Sequence, residues 1–208
     1  MRLPDTLPAQ VYLLAYDRRR QRASTRGLLG LVLGGAALAD LWLSGHLVDD
    51  DGVARPAPGV AHPMDPALRL VWERVTAAPA SRRWTRWVRQ QSLKRVVRDA
   101  LADSGVLRVE PKVHWWGRDR VTVRDTRVLT GLEQRVGGVL RGPVPVGSLD
   151  ARDAALVAVV AVGEVSSTVS RAQRRAHKQR LAAIVARGGP PVAALRQAIR
   201  QARSASAG

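Results

Sequence analysis

Apolar positions concentrate in one stretch, Leu28 to Leu47, LLGLVLGGAALADLWLSGHL, and the thirteen residues from Gly27 to Ala39 carry no charge. A bilayer-spanning helix needs about 20 consecutive apolar residues. Here Asp40 interrupts the run, followed by Ser44, Gly45 and His46, so the stretch reads as a buried central helix and not as a span. Gly30, Gly34 and Gly35 each cost about 1 kcal/mol of helix propensity relative to Ala. That cost is offset most easily where neighbouring elements pack against the bare backbone. Gly45 supplies the C-terminal stop. His46 to Val48 and Val53 to Arg55 flank Asp51-Gly52, the sequence of a short hairpin with a tight turn.

The same patterning organises the rest. Thr6 and Pro8 open a helix over Leu7 to Tyr16, with Val11, Leu14 and Ala15 at helical spacing. Arg55 to Pro66 holds four prolines and is loop. Asp65-Pro66 opens a helix over Ala67 to Thr76, whose stripe is Leu68, Val71, Trp72 and Val75. Ser81 to Ser104 reads as one helical region with Leu93, Val96, Val97, Ala100 and Leu101 on its apolar face. Its ending, Ala100 to Asp103 and then Ser104 to Leu107, echoes Ala37 to Asp40 and Ser44 to Leu47. This second copy leads into a longer hairpin, Leu107 to Arg124. Helices follow over Leu129 to Leu140, over Ala151 to Val162 with Asp150 as cap, over Ser170 to Arg187, and over Val192 to Arg203 after a Gly-Gly-Pro-Pro break. The fold class is mainly α: a single globular helical domain over residues 3–200 with two short β-hairpins, and a disordered tail at 204–208.

Charge changes the picture most. The chain of 208 residues is 46% hydrophobic, as a globular domain is, yet carries 34 basic against 17 acidic residues, a net charge of +17. Such a balance points to an anionic partner: phospholipid headgroups, nucleic acid or an acidic protein. Lys94, Lys112 and Lys178 are the three lysines among the 34 basic residues, leaving 31 arginines, a ratio read chiefly as that of a GC-rich genome. Without cysteine there is no disulfide framework, thiol chemistry or Cys-based zinc site. The first twenty residues lack the pattern of a secretory signal, and the chain is expected to be cytoplasmic and peripheral on the membrane face.

Basic residues cluster in two places. Asp17 to Arg26, DRRRQRASTR, precedes the central helix, and Arg22 and Arg26 with that helix's N-terminus form a candidate anion site. On the Ser81 to Ser104 region, Arg82, Arg86 and Arg89 recur at i, i+4 and i+7, and Lys94, Arg95 and Arg98 continue the ridge with few acidic partners at helical spacing. At the tip of the longer hairpin, Trp115 and Trp116 stand beside cations. Such a pair suits a membrane interface, where the indole ring buries while its N–H stays near water; it suits self-association or a folded-back core equally. No GxGxxG after a strand, P-loop, HExxH or GxSxG occurs, and the histidines at 46, 62, 114 and 177 have no metal-like spacing. The chain is read as a non-enzyme with no cofactor and no metal. Nucleic-acid binding is the alternative, since two helix-then-hairpin units resemble winged helices; the tryptophan pair separates the two, being of no use to a wing on phosphates.

The order of these motifs carries a resemblance. LPAQVYLLAYD, the helix with Leu38, Leu41, Leu43, Gly45 and Leu47 and its Asp-Asp-Gly turn, Leu101 to Leu107, and the hairpin ending at Val123, Arg124 and Asp125 together resemble the bacterial branch of the Golgi phosphoprotein 3 family, over roughly Leu3 to Ile199. The resemblance implies a mainly helical domain that binds phosphatidylinositol 4-phosphate at a basic pocket, inserts a hydrophobic hairpin into the membrane and engages a membrane-protein client. It places the family's pocket positions at Thr25, Gly34, Gln91 and Lys94, of which Lys94 keeps a positive charge. Arg22, Arg26, Arg95 and Arg98 are then the residues that would complete a headgroup site.

Overall fold

The central apolar run folds as helix α2 (Leu29–Leu43), and it is buried around most of its circumference because it has no polar stripe to leave outside. The structure, a computed structural model, describes residues 3–17, 22–23, 25, 27–78, 82–89, 92–110, 119–165 and 168–206. Among them are ten α-helices, a short 3-10 turn and three two-stranded antiparallel ladders around one contiguous apolar core. Before α2 come α1 (Leu7–Leu14), β1 (Tyr16–Asp17) and β2 (Arg22–Ala23); after it come β3 (Leu47–Asp50), β4 (Val53–Pro56), α3 (Pro66–Thr76), α4 (Trp84–Arg89) and α5 (Leu93–Asp103). Then follow β5 (Leu107–Glu110), β6 (Arg120–Val123), α6 (Thr126–Arg141), the 3-10 turn (Val146–Ser148), α7 (Ala151–Val162), α8 (Arg171–Ala176), α9 (Lys178–Arg187) and α10 (Gly189–Ser204). Helices α1, α3, α4, α5, α7 and α10 all touch α2. At Gly35 the approach is close: a Cβ there would lie 2.8 Å from Leu195 Cδ2 of α10.

The echoed helix-to-hairpin sequence is one structure built twice. After α2, Gly45 (φ 74°) lets its own N–H reach Trp42 O at 3.2 Å and the His46 N–H reach Leu41 O at 2.8 Å. After α5, Gly105 (φ 75°) does the same, with Gly105 N–H to Ala102 O at 2.9 Å and Val106 N–H to Leu101 O at 3.0 Å. Both are the paired bonds by which a left-handed residue closes a helix C-terminus. Leu47 and Leu107 then enter the core as the first residues of β3 and β5. The β3–β4 turn falls at Asp51-Gly52 as expected, both residues having positive φ.

Several boundaries differ from the sequence reading: α1, expected through Tyr16, ends at Leu14, and the helix expected from Leu129 begins at Thr126 behind its Asp125 cap. Ser81 to Ser104 is two helices: Trp84, Trp87 and Val88 of α4 are buried, and so are Leu93, Val97 and Leu101 of α5. On one straight helix Val88 and Leu93 would point about 140° apart, so a single helix could not bury both stripes on one side. Ser170 to Arg187 divides at His177 (φ −113°, ψ 28°) into α8, opened by a Ser170–Gln173 capping box, and α9. The last helix begins at Gly189 and not at Val192, because Pro190 and Pro191 occupy its first turn, where a missing N–H costs nothing. It continues through Ser204, one residue into the expected tail. The third ladder, β1–β2, is only two residues a side and had no periodicity to announce it.

Tyr12 of α1 is 1% exposed, and burial pushes its phenol up to about 12 from 10, with Arg98 pulling the other way. The folded state thus holds a proton that the unfolded chain releases near pH 10. The contribution of Tyr12 to stability is expected to be level below pH 10 and to fall by about 2.5 kcal/mol as the pH rises towards 12. Urea midpoints measured across that range check it; Tyr12→Phe should remove the slope.

Candidate functional site

The direction of α1 determines which groups share an end of the molecule. Its first N–H, that of Leu7, donates to Asp40 Oδ2 in the last turn of α2 at 2.6 Å. Its N-terminal approach, Pro4 to Ala9, also lines a cleft with Ala100 to Val106 at the close of α5. Because α1 is antiparallel to both, its C-terminal end lies towards the N-termini of α2 and α5. The β1–β2 ladder follows α1 at that end, where Tyr16 Oη donates to Val121 O of β6 at 2.8 Å. Lys94 and Arg95 on the first turn of α5, the strand carrying Arg22, and the outer end of the β5–β6 hairpin therefore face one region. The side chain of Arg22, and Arg26, Trp115 and Trp116 altogether, lie outside the described residues.

Within that region the expected cations divide. Arg98 is 19% exposed in its side chain and is held by two carboxylates: its Nη1 donates to Asp119 Oδ2 at 2.6 Å and its Nε to Asp99 Oδ1 at 2.8 Å. Burial alone would lower its pKa; Asp99 and Asp119 outweigh that and hold it above the ordinary value. Its charge is already matched, and it ties α5 to the start of β6. Lys94 and Arg95 are exposed and have no ion pair among the described residues.

The N-terminus they sit on differs from those of α3, α6 and α7. Asp65 caps α3, Asp125 caps α6 and Asp150 caps α7, each carboxylate accepting backbone N–H groups of its first turn. Ser92 precedes α5 without a side-chain cap bond, and no acidic residue stands in its first turn. Two cations at a helix N-terminus oppose the macrodipole, at about 0.3–1 kcal/mol each. Bound anion would relieve both the repulsion and the open N–H groups.

The other family positions offer no charge. Thr25 is buried, with its hydroxyl unpartnered among the described residues, and Gly34 lies inside α2. The described histidines have structural places: His46 Nδ1 lies 2.8 Å from Ser44 Oγ, the His62 ring sits 4.5 Å from that of Trp72, and His177 is the joint between α8 and α9; His114 lies outside the described residues.

Sequence reasoning missed the largest polar link. Asp40, which had registered only as an interruption of the apolar run, is 2% exposed; it accepts Arg152 Nη2 at 2.8 and 2.7 Å besides the Leu7 N–H. Burial raises its pKa, and Arg152 and the N–H bond draw it back. Asp40 is thus the cap that Thr6 had been expected to provide, since the Thr6 side chain makes no cap bond and donates to Asp65 instead. Among the described residues no helix is long and apolar enough to cross a membrane. Compared with known families, residues 7–202 match Golgi phosphoprotein 3 (GPP34). No curated protein matches the chain.

Proposed function

We propose that this chain, which belongs to the Golgi phosphoprotein 3 family, is a peripheral protein of the cytoplasmic membrane face that binds anionic phospholipid headgroups. The family is one of non-enzymatic phosphoinositide-binding adaptors. The observation that carries the reading is the N-terminus of α5, where exposed Lys94 and Arg95 have no ion pair among the described residues and Ser92 makes no side-chain cap bond. Each basic residue near an anionic leaflet contributes about 1 kcal/mol, and the net charge of +17 supplies the wider field. Arg22 and Arg26 are the further cations that the sequence reading adds to this contact, and Trp115 and Trp116 its apolar part. Phosphatidylinositol 4-phosphate is the headgroup that family membership suggests, and a membrane-protein client is the partner of an adaptor.

Flotation with phosphatidylcholine vesicles containing phosphatidylserine tests this. Lys94→Ala with Arg95→Ala should weaken binding at low salt by about 30-fold, as two such contacts of about 1 kcal/mol would. The same variant should be as stable as the parent or slightly more so, because repulsion at the helix terminus has been removed. At 1 M salt the Debye length falls to about 3 Å, and Trp115→Ala with Trp116→Ala should abolish whatever binding survives there. Unchanged vesicle binding by a folded Lys94/Arg95 variant, or capture by duplex DNA in preference to vesicles, would overturn the proposal.

A further inference from the structure

The other half of the basic ridge, Arg82, Arg86 and Arg89, lies on and just before α4, the helix that precedes α5. Burial of Trp84, Trp87 and Val88 against the core turns Thr85, Arg86 and Arg89 outwards at the edge where α4 packs on α10. Arg82 is otherwise engaged, with its guanidinium over the Trp87 ring at 5.4 Å. Arg86 and Arg89, one turn apart, line a cleft of about 450 Å³ together with Thr85 and Gln201. Every described lining residue is a cation or a neutral hydrogen-bonding side chain, and none is a carboxylate. Gln201 accepts from Arg89 Nη1 through Oε1 at 3.5 Å, a long bond that leaves its NH₂ group as a donor.

Six other arginines show what this chain does with cations that serve the fold. Arg55, Arg98, Arg108, Arg135, Arg152 and Arg203 each pair with an Asp or Glu. Neither Arg86 nor Arg89 has an ion pair among the described residues. Two adjacent positive charges sharing a cleft repel one another, and no carboxylate among the described lining residues offsets that repulsion. The complement is a compact group with two negative charges and several acceptor oxygens.

We propose that the Arg86–Arg89 cleft is a binding site for a phosphate monoester dianion. The planar forks of the two guanidiniums suit bidentate donation to its terminal oxygens; the Thr85 hydroxyl and the Gln201 amide are the neutral donors beside them. A phosphodiester offers one charge and two free oxygens and fits less well. The site stands independently of the α5 contact, and its ligand is either a lipid headgroup bearing a monoester phosphate or a soluble phosphate ester.

The test uses the full chain and two probes. Glycerol 3-phosphate is titrated while the arginine Nε–H resonances are followed, and flotation compares vesicles of phosphatidylcholine with phosphatidic acid against vesicles with phosphatidylserine at equal charge. The parent should show shifted arginine resonances, a preference for phosphatidic acid, or both. Arg86→Gln with Arg89→Gln should lose these responses by at least about tenfold, the scale of two charge-assisted hydrogen bonds. Arg86→Lys with Arg89→Lys keeps the charge and removes the forks, and should lose the monoester preference while phosphatidylserine binding stays. Lys94→Gln with Arg95→Gln, a removal of the same two charges elsewhere, should keep the preference. Resonance shifts without vesicle preference identify a soluble ester; vesicle preference identifies a headgroup. A parent that answers to neither probe, or a Lys pair that retains the full monoester preference, overturns the inference, and neither result bears on the phosphatidylserine binding attributed to α5.

Discussion

Asp40→Ala is expected to lower the stability of the domain by about 4 kcal/mol, within the range for removing one partner of a buried pair. Three things fail together. The Leu7 N–H at the start of α1 loses its 2.6 Å acceptor, Arg152 loses a bidentate partner, and a small cavity opens in the last turns of α2. Arg152 retains its bond to Asp5 O at 2.5 Å and a third of its side-chain exposure, which is why a larger loss is not expected. For a chain of 208 residues this corresponds to a melting temperature lower by roughly 10 °C. The raised pKa of Asp40 says that desolvation outweighs what Arg152 returns. Replacing both, as Asp40→Leu with Arg152→Met, should therefore recover much of the loss, the remainder being the unsatisfied Leu7 N–H at about 1–3 kcal/mol. Urea unfolding of the two singles and the double checks it; strict additivity would mean that the pair is not coupled.

Gly35→Val should cost about 3 kcal/mol through overpacking. The first atom added at Gly35 meets Leu195 Cδ2 at 2.8 Å and its Cβ and Cγ at 3.0 Å, on an α10 that is itself packed on α4 and α7. Propensity works in the opposite direction, since a glycine inside a helix is about 1 kcal/mol worse than alanine. The sign of Gly35→Ala therefore depends on Leu195. In the parent it should destabilise, because contact wins; in a Leu195→Ala background, which removes Cγ and Cδ2 and leaves only the Cβ at 3.0 Å, the cost should shrink by at least about 1 kcal/mol as propensity offsets what contact remains. Thermal unfolding of the four chains measures this. A stabilising Gly35→Ala in the parent would show that α2 and α10 are not in close contact there.

Much of the candidate site was legible from local pattern. Lys94 and Arg95 fall on the polar side of a stripe made by Leu93, Val97 and Leu101, so their exposure follows from helical spacing alone. The same spacing nominated Arg98 and could not see Asp119, 21 residues away just before β6, which takes its charge. Arg86 and Arg89 were legible as a ridge and not as a cleft, because Gln201 reaches them from α10, 112 residues further on.

By itself the sequence determined the elements whose causes are local: the central apolar helix, the two Ser-Gly stops that launch hairpins, the Asp51-Gly52 turn, the aspartate caps of α3 and α7, and a net positive charge. Each depends on residues within one or two turns of each other, where backbone preference and side-chain reach decide the outcome. The tertiary structure decided what depends on chain segments meeting. Burial of Trp84 and Trp87 on one side and of Leu93 and Val97 on another split one expected helix into α4 and α5. Asp40, a polar residue in an apolar run, became the cap of α1 because water is excluded there and the Leu7 N–H and Arg152 are the donors that remain. Periodicity can assign a residue to a face; which charge finds a partner on that face is settled only by the segment that packs against it.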